Sequence, residues 1–264
     1  MSHTTEDITT LLGAIPYRVA LAGGWIDQPF ISRHNPDGVG SMVVVQVAPQ
    51  FRWMDRAGLC TSTRNIAVRL WNGRVPAGDR RRLVRDLYEA ENTGKSAPSG
   101  SQDMIGLVYP GVSRLDYDIA HEGGVFPRHI ESNTDPKVAR WLERVLHVLP
   151  VAPRPEGYDP LRRQNLDPAW IARLGRSGRA CFDAIVACDL DGLGVSMNEC
   201  MTCWRAILPD TVEQPAEPVD LVALLGWYQR RYPGAMYSGC GGGYLYVASE
   251  RPVPGGFHVR IKTE

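Results

Sequence analysis

The sequence predicts an α+β protein in two parts. Short β-branched runs and helical periodicities alternate in its first half, three long helical stretches follow a proline-rich interval, and short strands close the chain. At 264 residues it is long enough for two modest cores. The proline-rich interval from Pro150 to Pro160 sets the expected division into residues 1–150 and 151–264.

Ile15 to Ala22 has the short apolar character of a strand and runs into Gly23-Gly24, where the backbone can turn. After a loop rich in Pro, Asn and Gly, Met42 to Val47 is a second strand, nearly all β-branched. Gly58 to Thr63 opens a helix running through Leu70. From Asp79 to Asn92, Leu83, Val84, Leu87, Tyr88 and Glu91 recur at helical spacing, with Gly94 placed to end the helix. Ser99-Gly100-Ser101 turns the chain into a short helix beginning at Gln102-Asp103 that stops before Pro110. Trp141 to Pro150 suits a helix over its first half and a strand over Val145 to Val151, and periodicity does not separate the two. Helices are expected over Pro168–Ala187, Gly192–Leu208 and Pro218–Tyr232, then strands over Tyr244–Ala248 and Phe257–Ile261.

Lys plus Arg and Asp plus Glu both number 29, so no net field draws in nucleic acid or anionic lipid. Residues 1–13 carry acids and polar groups where a signal peptide has a basic start and an apolar run, and no stretch approaches the roughly 20 apolar residues of a spanning helix. The expectation is a cytoplasmic protein with no membrane or nucleic-acid partner. Its six cysteines then remain thiols, and their scatter does not read as a disulfide framework. Cys200 and Cys203 have the spacing of half a zinc site, but no second ligand pair exists; with Met197, Met201 and Trp204 they fall on the apolar side of a helix, as core thiols do.

Gly58 to Thr63 joins glycine, hydroxyls and a helix N-terminus, an arrangement in which backbone N–H groups and the helix dipole can meet a phosphate. Thr61 and Ser62 can offer an oxygen to magnesium, although a plain loop into a helix also explains the segment. Three further motifs accompany it. Arg18-Val-Ala-Leu-Ala-Gly-Gly24-Trp25-Ile-Asp27-Gln-Pro29 resembles the first motif of the galactokinase, homoserine kinase, mevalonate kinase and phosphomevalonate kinase (GHMP) superfamily, nearest to the form in fucokinases and heptose phosphate kinases. Gly58-Leu59-Cys60-Thr61-Ser62 is similar to that branch's Gly-Leu-Gly-Thr-Ser phosphate loop. Ala90-Glu91-Asn92 with Ser99-Gly100-Ser101-Gln102-Asp103 resembles the segment carrying its magnesium-binding glutamate and catalytic aspartate. Tyr237-Ser-Gly-Cys240-Gly241-Gly242-Gly243 resembles its third, glycine-rich motif. The four occur in the family's order.

The resemblance implies a two-part fold, ribosomal-protein-S5-like and then ferredoxin-like, with a strand at Val145 to Val151 ahead of a Pro/Arg-rich substrate loop. It implies an enzyme that uses ATP and Mg2+ to phosphorylate a hydroxyl of a sugar or sugar phosphate. Asp103 would receive or orient the hydroxyl proton, and Arg18 would steer that aspartate or stabilise the transferring phosphoryl group. Glu91 with Ser62 or Thr61 would hold magnesium, and Gly58, Cys60, Thr61, Ser62 and Thr63 would bind the nucleotide phosphates. Asp27, Gly24, Trp25, Gly241 and Gly242 would meet the substrate. Read without the family, Arg18 and Asp27 can form a structural ion pair across a turn, Asp103 can be a helix cap, Trp25 can simply pack, and Glu91 falls on the apolar side of its helix, where a carboxylate needs a partner.

Two features depart from the family pattern. Cys60 stands where the phosphate loop has its middle glycine, and only about ten residues separate Val47 from Gly58, where the family has several tens including extra strands beside the nucleotide. The first part is therefore shortened. Besides the sugar kinase, the sequence admits a catalytically silent sugar-binding or regulatory protein, or a kinase of a non-sugar alcohol. Arg18, Glu91 and Asp103 together favour the enzyme.

Overall fold

The structure, a computed structural model, describes residues 13–96, 98–213 and 219–264. The reading of the first residues as a non-signal segment thus lies almost wholly outside the described part, as does Pro218 at the start of an expected helix. The first part is built on a four-stranded antiparallel sheet of order β1-β2-β3-β4. β1 (Tyr17–Ala20) pairs with β2 (Val39–Val47), Arg18 lying opposite Gln46. Between them runs a single helical turn, α1 (Pro29–Ser32). β2 is longer than its β-branched run predicts because its first residues pair with the end of a later strand, Val39 opposite Asp118.

Three helices separate β2 from that later strand: α2 (Thr61–Leu70), α3 (Arg80–Asn92) and α4 (Gln102–Val108). All three stand where the sequence places them, and Asp79 caps α3 by accepting from the Arg81 N–H. β3 (Val112–Asp118) and β4 (His129–Asn133) complete the sheet and were not expected. β4 is a mostly exposed, polar edge strand. Its position comes from its partner, with Arg114 on β3 opposite Glu131 and ion-paired to it at 2.9 Å.

The ambiguous stretch resolves as both alternatives in succession. α5 (Pro136–Val145), capped by Asp135, passes directly into β5 (Leu146–Ala152). Then come α6 (Pro168–Ala187), α7 (Leu190–Ile207), the single turn α8 (Asp210–Glu213), α9 (Leu221–Gln229) and the hairpin β6 (Gly234–Gly239) and β7 (Gly242–Ala248). These strands form a second antiparallel sheet of order β5-β7-β6, so the expected boundary between residues 150 and 151 falls inside one of its strands. α6 lies directly on β2: a Cβ on Gly175 would sit 2.8 Å from the Gly40 Cα, so the bare backbone sets how near the helix comes to the sheet.

The strand expected over Phe257–Ile261 is instead two isolated bridges. Phe257 meets Val148 on the free edge of β5, and Ile261 meets Val47 at the end of β2. The segment crosses from one sheet to the other, so it cannot run along either. Trp53, 2% exposed, packs against Tyr17, Phe51, Tyr244 and Phe257 and joins the two parts through a common aromatic cluster. Among the described residues no helix is long and apolar enough to cross a membrane.

Candidate active site

Arg18 points from β1 under α4 and is 5% exposed. The helix passes this close because residue 106 is glycine; a Cβ there would strike the Arg18 side chain. The guanidinium is engaged through both outer nitrogens: Nη2 is ion-paired with Asp103 Oδ1, and Nη1 donates to the Gly58 carbonyl at 3.2 Å. Burial alone would lower the Arg18 pKa, but the adjoining Asp103 carboxylate, with smaller help from Cys60 and Tyr246, leaves it raised. Asp103, in the first turn of α4, also accepts from the Thr63 hydroxyl through Oδ2 at 3.4 Å. Both alternatives without the family therefore fall. Arg18 pairs with Asp103, not Asp27, and Asp103 faces inward from the helix instead of capping it.

Asp27 is fully buried beyond the Gly23-Gly24-Trp25 turn. Its Oδ1 accepts from Gln102 Nε2 at 3.3 Å, while Oδ2 and the Gln102 carbonyl oxygen Oε1 are buried without partners. Burial, and then the nearby Asp103 charge, push the Asp27 pKa up to about 7 against the opposing pull of Arg18. Gly100 makes room for this carboxylate, since a Cβ there would collide with it. Gly24 and Trp25 line the same hollow as Asp27. The Gly24 carbonyl accepts from Trp204 Nε1 at 3.1 Å, and Trp25 meets Phe30 edge-on.

Two hollows meet at the Arg18–Asp103 pair. One, of about 300 Å³, is lined by Trp25, Asp27, Gln28, Gln102 and Cys240 among others. The other, of about 400 Å³, is lined by Arg56, Cys60, Thr61, Ser62, Asn65 and Tyr158. Arg18, Gly58, Asp103 and Arg154 line both. A further hollow of about 330 Å³ shares Asp55, Thr61 and Asn65 with the second and extends to Tyr17 and Trp53, whose indole N–H is buried without an acceptor.

The phosphate-loop segment supplies the wall of the second hollow. Cys60 precedes α2 in the left-handed region at φ 62°, which explains why a glycine suits this position; its thiol is buried, 3.6 Å from the Asp103 carbonyl, and its pKa is raised by burial and by the Asp103 charge. The first-turn N–H groups of α2 lack intrahelical acceptors. Thr61 and Ser62 line the hollow, whereas Thr63 turns inward to Asp103. Gly58 serves packing: at φ 76°, its missing Cβ would lie 2.6 Å from the Ser238 carbonyl oxygen and 2.8 Å from the Gly239 Cα. Ser238 completes that contact by donating to the Ala57 carbonyl at 2.6 Å and accepting from the Tyr244 N–H at 2.9 Å.

Gly241 and Gly242 do not line the hollows. Their positive φ values of 72° and 102° turn the β6–β7 hairpin, and Gly241 sits under the Tyr158 ring; Ser238, Gly239 and Cys240 are the residues of this motif that reach the cleft. Glu91 stands behind the phosphate loop. It is buried, its Oε1 accepts from Lys95 at 3.2 Å, its Oε2 has no partner, and its charge reaches the Cys60 thiol. Among the described residues no three His, Cys, Asp or Glu side chains cluster as a metal site. Cys200 and Cys203 are core thiols, the first accepting from the Gly23 N–H at 3.4 Å.

Sequence reasoning missed Arg154, the residue of the second part that borders both hollows. Its signal was present in the Pro/Arg-rich stretch after β5, but nothing local says which arginine of Arg154, Arg162 and Arg163 faces the cleft. The structure separates them. Arg162 and Arg163 both bind the buried Asp210, whose pKa their hydrogen bonds hold well below the usual carboxylate range, while Arg154 lines both hollows. Gln102 was seen only as a helix start.

No family model and no curated protein matches the chain. Solved structures match over most of its length. They include a mevalonate kinase from Methanococcus jannaschii (9% identity, TM-score 0.57, 90% of this chain and 89% of that one). A galactokinase from Lactococcus lactis complexed with galactose matches at 12% identity and TM-score 0.56, over 90% and 85% of the two chains. A D-glycero-D-manno-heptose 1-phosphate kinase from Bacteriodes thetaiotaomicron matches at 12% identity and TM-score 0.52, over 90% and 88%. At these identities the likeness is one of fold.

Proposed function

We propose that this chain, which has the fold of the GHMP superfamily, is a kinase that phosphorylates a hydroxyl of a sugar or sugar phosphate. The observation that carries the reading is the Arg18–Asp103 pair at the junction of two hollows, one walled by a helix N-terminus and the other by buried, unsatisfied acceptors. ATP with magnesium, when bound, supplies the phosphoryl group and neutralises its charge. The residues lining the hollow fit that group, since Thr61 and Ser62 offer hydroxyls and first-turn N–H groups; Glu91, ion-paired with Lys95 behind the wall, would have to reach a metal from there through its unpartnered Oε2. The hollow at Trp53 and Asn65, continuous with the phosphate side, takes the base in place of the missing strands.

On the acceptor side, Asp27 Oδ2 and Gln102 Oε1 both lack donors. A ligand rich in O–H groups that reaches them makes bonds the free protein leaves unmade, worth about 1–3 kcal/mol each, and an apolar alcohol does not. Trp25 adds an aromatic wall. Arg18 holds Asp103 in place, and Asp103 Oδ2, engaged only by the long bond from Thr63, receives the proton of the attacking hydroxyl. A cytoplasmic location, where ATP and free thiols are both maintained, goes with this chemistry.

Calorimetry with ATP and magnesium on the wild type and on Asp103→Ala, followed by turnover on a panel of sugars and sugar phosphates, tests the proposal. Binding to both with turnover lost in the variant, by about 10²-fold or more, is the expected result. Absence of nucleotide binding in the wild type would reject the kinase and favour a silent sugar-binding protein.

A further inference from the structure

A second guanidinium besides Arg18 borders both hollows, that of Arg154. Phosphoryl transfer concentrates negative charge between donor and acceptor, and a guanidinium is suited to it only with free donors facing the group. Arg18 is tied through Nη1 to the Gly58 carbonyl and through Nη2 to Asp103, which leaves one N–H on each of these nitrogens, and its Nε is buried without a partner. It is a positioning residue for Asp103. Arg154 is in the opposite condition. Its backbone N–H and Nε both donate to the Arg56 carbonyl, at 3.3 and 3.2 Å, and its Nη1 and Nη2 hydrogen-bond to no described residue although it lines both hollows.

The segment carrying Arg154 is tied down on both sides. Arg56 Nη2 donates to the Pro155 carbonyl at 2.8 Å, the Tyr158 hydroxyl donates to the Asp210 carbonyl at 3.0 Å, and Arg162 and Arg163 grip the Asp210 carboxylate at 2.7 to 3.2 Å. These bonds form a strap from β5 across the cleft to α8. The Arg154 stem is therefore held while its two outer nitrogens stay open, the preorganisation that makes an electrostatic contact effective.

We infer that Arg154 is a catalytic residue of this site, the cation that binds the phosphoryl group as it crosses between the two hollows. The inference rests on the kinase reading. In the step, the bond from the terminal phosphorus to the donor's bridging oxygen breaks, the acceptor oxygen bonds to that phosphorus, and the acceptor's proton passes to Asp103. Charge grows on the oxygens facing Arg154.

The test uses the full chain with Arg154→Ala and Arg154→Lys. By calorimetry, inorganic tripolyphosphate is expected to bind Arg154→Ala about 10-fold or more weakly than wild type, with the lysine variant between them. In turnover with ATP, Arg154→Ala is expected to lower kcat by about 10²-fold with little change in acceptor KM, and free guanidinium ion at sub-denaturing concentration is expected to restore part of the rate. Equal tripolyphosphate affinities overturn the inference. So does a defect confined to acceptor KM, or a rate loss that guanidinium cannot rescue, the behaviour of a strap that has merely come loose. If the wild type phosphorylates nothing, the kinase reading fails by itself, and the tripolyphosphate comparison alone decides whether Arg154 binds anions here.

Discussion

Replacing Asp27 by asparagine should change how the stability of the protein depends on pH. In the folded state the carboxyl is fully buried and its pKa is lifted from 3.8 to about 7, first by burial and then by the neighbouring Asp103 charge. A carboxyl whose pKa is raised on folding stabilises the protein fully below its unfolded pKa, and that contribution is lost as pH rises through the folded value. At ~1.36 kcal/mol per pH unit the whole effect is about 4 kcal/mol, of which about 2.5 kcal/mol falls between pH 5 and pH 8. The asparagine side chain has nearly the same shape and carries no charge. Urea unfolding of wild type and Asp27→Asn across that interval should therefore show the variant gaining about 2.5 kcal/mol relative to wild type as pH rises. Taking the difference cancels other titrating groups, such as the arginine-bound Asp210. Stability curves that run parallel over this interval would refute the argument, because they would mean that Asp27 carries its charge in the folded state at no cost. The same variant should bind the acceptor more weakly, since it exchanges an unsatisfied oxygen for an amide.

Other outcomes follow from the packing of the glycine-bearing loops. Gly58→Ala sets a methyl against the Ser238–Gly239 backbone at a positive φ, and is expected to cost about 2–4 kcal/mol in chemical denaturation; a loss under about 1 kcal/mol would mean that the loop and the hairpin are free to separate. Cys60→Gly relieves a left-handed residue, worth about 1 kcal/mol, but gives up a buried thiol of similar worth, so stability should change by less than about 1 kcal/mol. Because Cys60 also lines the phosphate-side hollow, the bare backbone should then bind nucleotide several-fold more tightly in calorimetry, and weaker binding would mean that the thiol, held at the Asp103 carbonyl, supports the loop instead of narrowing the hollow.

Much of the secondary structure was legible because its signals are local. α3 and α6 begin at Asp79 and Asp167, whose side chains cap the N–H groups two residues on, and their apolar residues recur at helical spacing. The stretch before Pro150 held a helical and an extended signal, and the chain uses each in turn. β3 and β4 left little trace. The edge strand β4 is polar and becomes a strand by pairing with β3, and the segment from Phe257 fails to become one because it is shared between two sheets.

The candidate site divides in the same way. Motif order named Arg18, Asp27, Glu91 and Asp103, and the structure brings Arg18, Asp27 and Asp103 to one cleft with Glu91 behind its wall. The partnerships among them were not in the sequence. Arg18 and Asp27 lie close together across a turn and look like a pair, yet Arg18 binds Asp103, 85 residues away, because α4 crosses β1 at Gly106. Gly241 and Gly242 look like ligand contacts but turn a hairpin, while Gly58 looks like a phosphate contact and seats that hairpin against the loop. By itself the sequence determined the α+β class, the caps and most helices, and the inventory of chemical groups, because each depends on residues within a turn or two of one another. Tertiary structure alone decided which arginine has its outer nitrogens engaged and which has them open: the partners of Arg18 and Arg154 are carbonyls and carboxylates that packing brings to them from distant parts of the chain.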